Sequence, residues 1–442
     1  MKLSQAFVRL CGALCAGLLA LAQPSRTGAL HPRPERPTVD VRFQAPFVVA
    51  LGTFTNLRSG DWDGDGITDL AAIAGNEIRL LQGDGNGGFR AGGTLFLENA
   101  PAQVVAADLD LDARTDIVVF HSSPGGTADE ILTFLSQGGF QFSMPRRFKP
   151  PPISGLPPYL LGFVLADFNL DGKPDLLLAR NSVGSNSVAL GRGDGTFADP
   201  VPGGPLTYML GGVADFNSDG APDVLINGIS GVFTPRIYYG RRDGTFDSPV
   251  LVDACEPLSG CNLRVIDADG DGKPDLLAQY SSWGWVGDFR VLRGTGDGSF
   301  TAAPQLPALN GGNAEEAFSV LSFVDLNSDG IPDLIRTREC CAGIEGDGAN
   351  YVYVNPGRGL GEFGREVAIR LPDGPGDASV MLVDVNGDGK PDLLTTDAQH
   401  NLWVYLNAGG PVREADALEF PALVTVHFPR ILPRYYKTLA GV

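Results

Sequence analysis

The hydrophobic residues of this chain fall in short runs rather than at helical spacing, and polar stretches of regular length separate them. A first run, such as Val104-Val105-Ala106-Ala107, Val164-Leu165-Ala166 or Met381-Leu382-Val383, enters a nine-residue polar stretch. A second run leaves it, as in Ile117-Val118-Val119-Phe120, Leu176-Leu177-Leu178 and Leu393-Leu394. Runs this short, bounded by Asp and Gly, predict strands. A third apolar run ends in a glycine turn and a phenylalanine, as in Leu190-Gly191-Arg192-Gly193-Asp194-Gly195-Thr196-Phe197 and Arg293-Gly294-Thr295-Gly296-Asp297-Gly298-Ser299-Phe300, and a fourth strand follows. The unit occurs seven times, with polar stretches starting 47, 59, 48, 52, 58 and 59 residues apart. Seven units of four short antiparallel strands, with almost no helical periodicity, predict an all-β fold: a seven-bladed β-propeller over residues 41–407.

The polar stretch is itself a fixed pattern, Asp-x-Asp/Asn-x-Asp-Gly-x-x-Asp. Its copies supply Asp61, Asp63, Asp65 and Asp69; Asp108, Asp110, Asp112 and Asp116; Asp167, Asn169, Asp171 and Asp175; and Asp215, Asn217, Asp219 and Asp223. The last three copies supply Asp267, Asp269, Asp271 and Asp275; Asp325, Asn327, Asp329 and Asp333; and Asp384, Asn386, Asp388 and Asp392. A hard cation such as Ca2+ takes six or more oxygens at once, and acids on alternate residues of a tight turn point several side chains inward. An Asp-Gly turn alone does not require a fourth acid at fixed distance in every copy. About seven structural Ca2+ sites are therefore expected, with the seventh residue offering its carbonyl. The second loop, which has Ala113 in place of Gly, is expected to be the weakest.

From about Phe43 to Asn407, the loop followed by Gly-x-Gly-Asp-Gly-Thr-Phe resembles the FG-GAP and VCBS repeats, as in the propeller head of integrin α subunits. The resemblance implies a calcium-binding propeller. It does not select a function, because the class serves adhesion proteins, carbohydrate-active enzymes and many bacterial secreted proteins.

The chain opens with Lys2, Arg9 and the apolar run Leu10 to Ala22. This predicts a secretory signal peptide over residues 1–22, and hence an exported, periplasmic or extracellular protein. Residues 23–40, rich in Pro and Arg, predict a linker. Phe43-Gln44-Ala45-Pro46 matches the opening of a fourth strand, as in Phe197-Ala198-Asp199-Pro200, although no blade precedes it. The last unit runs out after its third strand, so the N-terminal strand is expected to complete blade seven. Residues 408–442 form a tail with one possible extra strand.

The formal net charge is −19, and the loops hold 24 of the 52 acidic residues, so seven divalent ions would offset most of it. Such acidity argues against a nucleic-acid partner. In an oxidising compartment Cys255 and Cys261, five residues apart in between, are expected to form a disulfide, while adjacent Cys340 and Cys341 are open to either redox state. His31, His121, His400 and His427 sit in no nucleophile, zinc or acid/base motif, and no catalytic residue is assigned. Arg192-Gly193-Asp194 falls on the glycine turn and reads as turn chemistry.

In an antiparallel meander the metal loop and the glycine turn share one end of the blade, so the long connections fall at the other. Loops on a rigid scaffold commonly carry binding. Trp283, Trp285, Arg336 and Arg338, on blades five and six, are the candidate ligand residues. The favoured function is a monomeric secreted adhesion or interaction module that binds a protein or glycan. The alternative is a carbohydrate-active enzyme, a polysaccharide lyase or hydrolase, on the same scaffold.

Overall fold

The computed structural model describes residues 47–50, 56–122, 129–151, 160–180, 186–202, 204, 209–228, 235–252, 261–282, 285–303, 317–339, 350–364, 367–371, 380–396 and 401–408. The leader 1–22, the linker 23–40 and the tail beyond residue 408 lie outside them, as do Cys255, Trp283, Cys340, Cys341 and every histidine except His121.

The described residues form seven four-stranded antiparallel sheets. The first strand, β1 (Phe47–Ala50), stands apart from the sequence-local units. Blade one is β2 (Asn56–Gly60), β3 (Asp69–Ala74), β4 (Glu77–Gly83) and β5 (Phe89–Phe96). Blade two is β6 (Gln103–Ala107), β7 (Asp116–His121), β8 (Glu130–Phe134) and β9 (Arg146–Phe148). Blade three is β10 (Leu160–Ala166), β11 (Asp175–Arg180), β12 (Ser187–Ala189) and β13 (Val201–Pro202). Blade four is β14 (Met209–Ala214), β15 (Asp223–Gly228), β16 (Arg236–Tyr238) and β17 (Val250–Leu251). Blade five is β18 (Cys261–Ile266), β19 (Asp275–Ser282), β20 (Trp285–Gly294) and β21 (Phe300–Ala302). Blade six is β22 (Ala317–Val324), β23 (Asp333–Glu339), β24 (Asn350–Asn355) and β25 (Val367–Leu371). Blade seven is β26 (Val380–Val383), β27 (Asp392–Thr396) and β28 (Asn401–Tyr405), and its fourth strand is β1. Phe47 pairs with Val404 and Ala50 with Asn401, so the N-terminal strand completes the last blade.

The second strand of each blade is apolar without alternation because both of its faces are covered. In β7 every residue is buried. Successive side chains of a strand point to opposite faces. Ile117 and Val119 accordingly join Ile73, Ile78 and Leu80 of blade one, while Val118 and Phe120 join Phe163, Leu176 and Leu178 of blade three. The same stitching runs from blade three to four, four to five and five to six. A further cluster joins Leu394, Leu402 and Val404 of blade seven to Leu57, Leu70 and Ala72 of blade one. At the seam of blades six and seven Asn407 donates its Nδ2 to Leu326 O at 2.6 Å, and with the N-terminal strand seated in blade seven the ring is closed, which removes the exposed sheet edges of an open array.

Candidate metal loops at the blade seams

Each nine-residue pattern forms the turn between the first and second strands of its blade, and all seven fold alike. The first Asp accepts the sixth-position amide on Oδ2, from Gly66 N to Asp61 at 2.9 Å through to Gly389 N to Asp384 at 2.7 Å. The fifth Asp accepts the seventh-position amide, as in Ile67 N to Asp65 at 2.8 Å and Lys273 N to Asp271 at 2.9 Å. These bonds wind the backbone tightly enough that positions four and six adopt positive φ. Glycine is at ease there, but Ala113 takes the same conformation at φ 67° and its amide still reaches Asp108 Oδ2 at 2.9 Å. A left-handed non-glycine residue costs roughly 1–2 kcal/mol. Loop two carries this strain twice, at Leu111 and Ala113, whereas loops three, four and six carry it once, at Leu170, Ser218 and Ser328.

The ninth Asp behaves differently. It is fully buried, or within one per cent of it, in every blade. One of its oxygens accepts the second-position amide of its own loop, as Asp69 does from Trp62 at 3.0 Å and Asp333 from Leu326 at 3.1 Å. The other accepts an amide at the end of the third strand, from Gly83 at 2.9 Å and Gly357 at 2.8 Å in the same two blades. The loop and the glycine turn are thus stapled together, which places both at one end of the blade. Burial raises these carboxylates, to about 6 at Asp69, Asp116 and Asp223 and about 7 at Asp333, against the opposing pull of the two amides.

In loops one and two, three carboxylates apiece bring oxygens within 4.8 Å of one another: Asp61, Asp63 and Asp69, and Asp108, Asp110 and Asp116. Asp267, Asp269 and Asp271 do so in loop five. In loop two, Asp110 Oδ1 is buried without a hydrogen-bond partner. Burial and the neighbouring Asp112 and Asp108 charges hold Asp110 above its ordinary value. An all-oxygen donor set this crowded suits a hard divalent cation. Where Asn replaces the third acid, the side-chain carbonyl keeps an oxygen in place, as Asn217 Oδ1 accepts Asp219 N at 3.0 Å.

Basic side chains partly neutralise several loops. Lys173, Lys273 and Lys390 lie 2.9, 2.6 and 2.8 Å from the fifth-position Asp171, Asp271 and Asp388. Arg114 pairs likewise with Asp112. Loop five is compensated twice, since Arg293 also donates to Asp269 Oδ2, from Nε at 2.7 Å and Nη2 at 2.6 Å.

Two positions were not singled out by the acid pattern. Position two is buried in every blade, as Trp62, Leu109, Phe168, Phe216, Ala268, Leu326 and Val385, and all of these but Leu326 cluster with residues of the following blade. Phe246 meets Phe168 edge-on at 5.8 Å, and Phe300 meets Phe216 at 6.0 Å. The turn phenylalanine of one blade therefore anchors on the loop of the previous one, and such pairs contribute roughly 0.5–1.5 kcal/mol beyond burial. The signal was an apolar residue between the first Asp and the third-position Asp or Asn in all seven copies. Position eight is Thr68, Thr115 or, in the other five loops, Pro. Thr68 and Thr115 reach the neighbouring loop.

The other candidate residues fare unequally. Arg336 is only 3% exposed and donates to Asn355 Oδ1 at 2.5 Å, so it is an interior residue rather than a displayed one. Its position in β23 opposite Tyr353 of β24 puts it within the blade, not on the connection beyond. Trp285 opens β20 and Arg338 pairs with Phe318 in register, but their side chains, like Trp283, lie outside the described set. Cys261 opens β18. In the Arg-Gly-Asp turn, Asp194 Oδ1 accepts Thr196 N and Oγ1 at 2.9 and 2.6 Å, and Arg192 donates to Phe197 O at 2.5 Å. Both charged groups are engaged in shaping the turn. Among the described residues no helix is long and apolar enough to cross a membrane.

Solved structures share this architecture at low identity. One is an Agrocybe aegerita lectin, described as recognising non-reducing terminal N-acetylglucosamine, at 20% identity and a TM-score of 0.52, covering 72% of this chain and 80% of that one. Another is BBS1N, solved in complex with ARL6DN, at 10% identity and a TM-score of 0.51, covering 86% of this chain and 99% of that one. At such identities the likeness speaks for the fold alone. No curated protein matches the sequence. The FG-GAP-like repeat matches residues 61–119, 167–226, 215–278 and 338–395, each match taking in at least one of the nine-residue acidic loops with the strands beside it. Since these segments make up more than half of the chain, the protein belongs to the FG-GAP-like repeat family.

Proposed function

We propose that this protein is an exported interaction module whose seven loops bind Ca2+, and whose ring presents the connections at the opposite end of the blades to an extracellular protein or glycan. The observation that carries the reading is the repetition of one all-oxygen loop at every blade seam, tied to the turn behind it by the ninth Asp. Metal held there stiffens the seams, because each loop is tied both to the glycine turn of its own blade and to the blade beside it. The lectin with a similar fold makes a glycan a reasonable class of ligand to try first.

Calcium dependence is tested by thermal unfolding in excess Ca2+ and in excess chelator. A ligand that binds only the folded state stabilises it by mass action, about 2.7 kcal/mol per site at a hundredfold excess over Kd. Chelation should lower Tm by many degrees, and superimposable melting curves would refute the metal reading. Binding is tested separately on a glycan array with the calcium-loaded protein.

A further inference from the structure

The loops are not equally connected to one another. In the seam between blades one and two, Thr115 donates its amide to Asp61 O at 3.0 Å, and Asp61 donates its amide to Thr115 Oγ1 at 3.0 Å. Asp61 is the first acid of loop one, and Thr115 directly precedes Asp116, the ninth acid of loop two. The backbone on both sides of one proposed ligand is clamped by the residue next to another. Ser136 Oγ donates to Trp62 O at 2.9 Å and Gly139 N to Asp63 O at 3.3 Å, which extends the contact to positions two and three of loop one.

The same relation recurs at the closing seam. Thr68 directly precedes Asp69 of loop one, and its Oγ1 donates to Asp384 O, the first acid of loop seven, at 2.8 Å. In the other five loops position eight is Pro174, Pro222, Pro274, Pro332 or Pro391. Proline has neither an amide hydrogen nor a hydroxyl, so a donor contact from this position is chemically impossible there. Three of those seams are joined from the turn instead, by Gly244 N to Phe168 O at 3.2 Å, Gly298 N to Phe216 O at 2.9 Å and Asn407 Nδ2 to Leu326 O at 2.6 Å.

We propose that loops seven, one and two form a single coupled arc, in which metal in one loop raises the affinity of its neighbour, while loops three to six bind independently. The inference rests on the calcium reading above. Its physical basis is that ordering one loop fixes Thr115 or Thr68, and through it the backbone of the next loop's first ligand. The neighbour then has less freedom left to lose on binding.

Trp62 makes loop one individually observable, because it sits at position two of that loop. Terbium replaces calcium at oxygen sites, and the emission it gains from tryptophan excitation that is lost in Trp62→Phe reports loop one. The full-length chain is freed of metal and titrated. Weakening a loop-two ligand with Asp112→Asn, which keeps an oxygen but removes the charge, should raise the half-saturation of loop one by at least about fivefold, the lower end of ordinary coupling. Weakening a loop-five ligand in the same way with Asp271→Asn should leave it unchanged. In a Thr115→Pro background, which adopts the residue found at five other seams, the effect of Asp112→Asn should vanish. Thr115→Val, which keeps the amide bond and loses only the hydroxyl bond, should reduce it and serves if the proline variant does not fold. Normal emission with no shift from Asp112→Asn would overturn the coupling and leave the metal reading intact. An equal shift from Asp271→Asn would overturn the arc in favour of a ring-wide effect. No sensitised emission, together with no calcium uptake by the unaltered chain, would instead sink the metal reading.

Discussion

At the scale of single residues, the acids of one loop divide into two kinds. Asp275 accepts Ala268 N at 2.9 Å and Gly294 N at 2.8 Å, and it is 1% exposed. Asp271 lies at the surface, accepts an amide two residues on, and is drawn below its ordinary value by the Lys273 ammonium. The first is therefore a structural staple whether or not metal is bound. An asparagine there would turn an amino group toward one of the two backbone donors, and an unsatisfied buried donor costs about 1–3 kcal/mol. Asp275→Asn should destabilise the chelated protein by about 2 kcal/mol or more, read from denaturant unfolding. Asp271→Asn should leave the chelated protein within about 0.5 kcal/mol of wild type and lose only part of the calcium-dependent gain. If the two variants behave alike in chelator, the division is wrong.

At the scale of the strand, His121 shows how a blade seam handles a titratable group. It ends β7 and pairs in register with Glu130 at the start of β8, so the two side chains share the face that packs on blade one. His121 is 4% exposed, and neither ring nitrogen has a hydrogen-bond partner. Arg147 bridges Glu130 at 2.9 Å and Glu98 at 2.5 Å beside it. Burial lowers the imidazole below 6.5, opposed by Glu130 and Glu98 and assisted by Arg147. The folded state thus binds this proton less readily than the unfolded chain. Stability from the neutral ring is complete above pH 6.5 and is lost as pH falls below it. In excess Ca2+, wild type should lose more Tm between pH 7 and pH 5.5 than His121→Leu does, and equal losses would remove His121 as the cause.

That seam also shows what the sequence could and could not display. The strands were legible because a strand covered on both faces is written as an unbroken apolar run, as in Ile117 to Phe120. The nine-residue loops were legible because the bonds that wind them are local, within seven residues. Partners supplied from afar were not. That position nine also staples the loop to the glycine turn was not visible, since the turn amide it accepts lies 14 to 24 residues on. Arg336 looked displayed because its place near a strand end says nothing of the Asn355 carbonyl 19 residues away that receives it.

At the scale of the whole ring, closure depends on a strand taken from the opposite end of the chain. β1 pairs with β28 over four residues, Phe47 with Val404 through Ala50 with Asn401. Beside it, the blade seven to blade one seam is held by the shared apolar cluster and by Thr68 Oγ1 on Asp384 O. Without β1, the backbone of β28 would become an exposed edge able to pair with another chain. Deleting residues 41–50 should therefore give aggregation or an open ring with a lowered Tm, whereas deleting 23–38 should leave Tm and solubility unchanged. Supplying the missing strand in trans, as a synthetic peptide of residues 41–52, should restore part of the lost Tm, because the pairing with β28 is made backbone to backbone. Equal tolerance of both deletions would show that the seam is held by the cluster and the loop contact alone, with β1 dispensable.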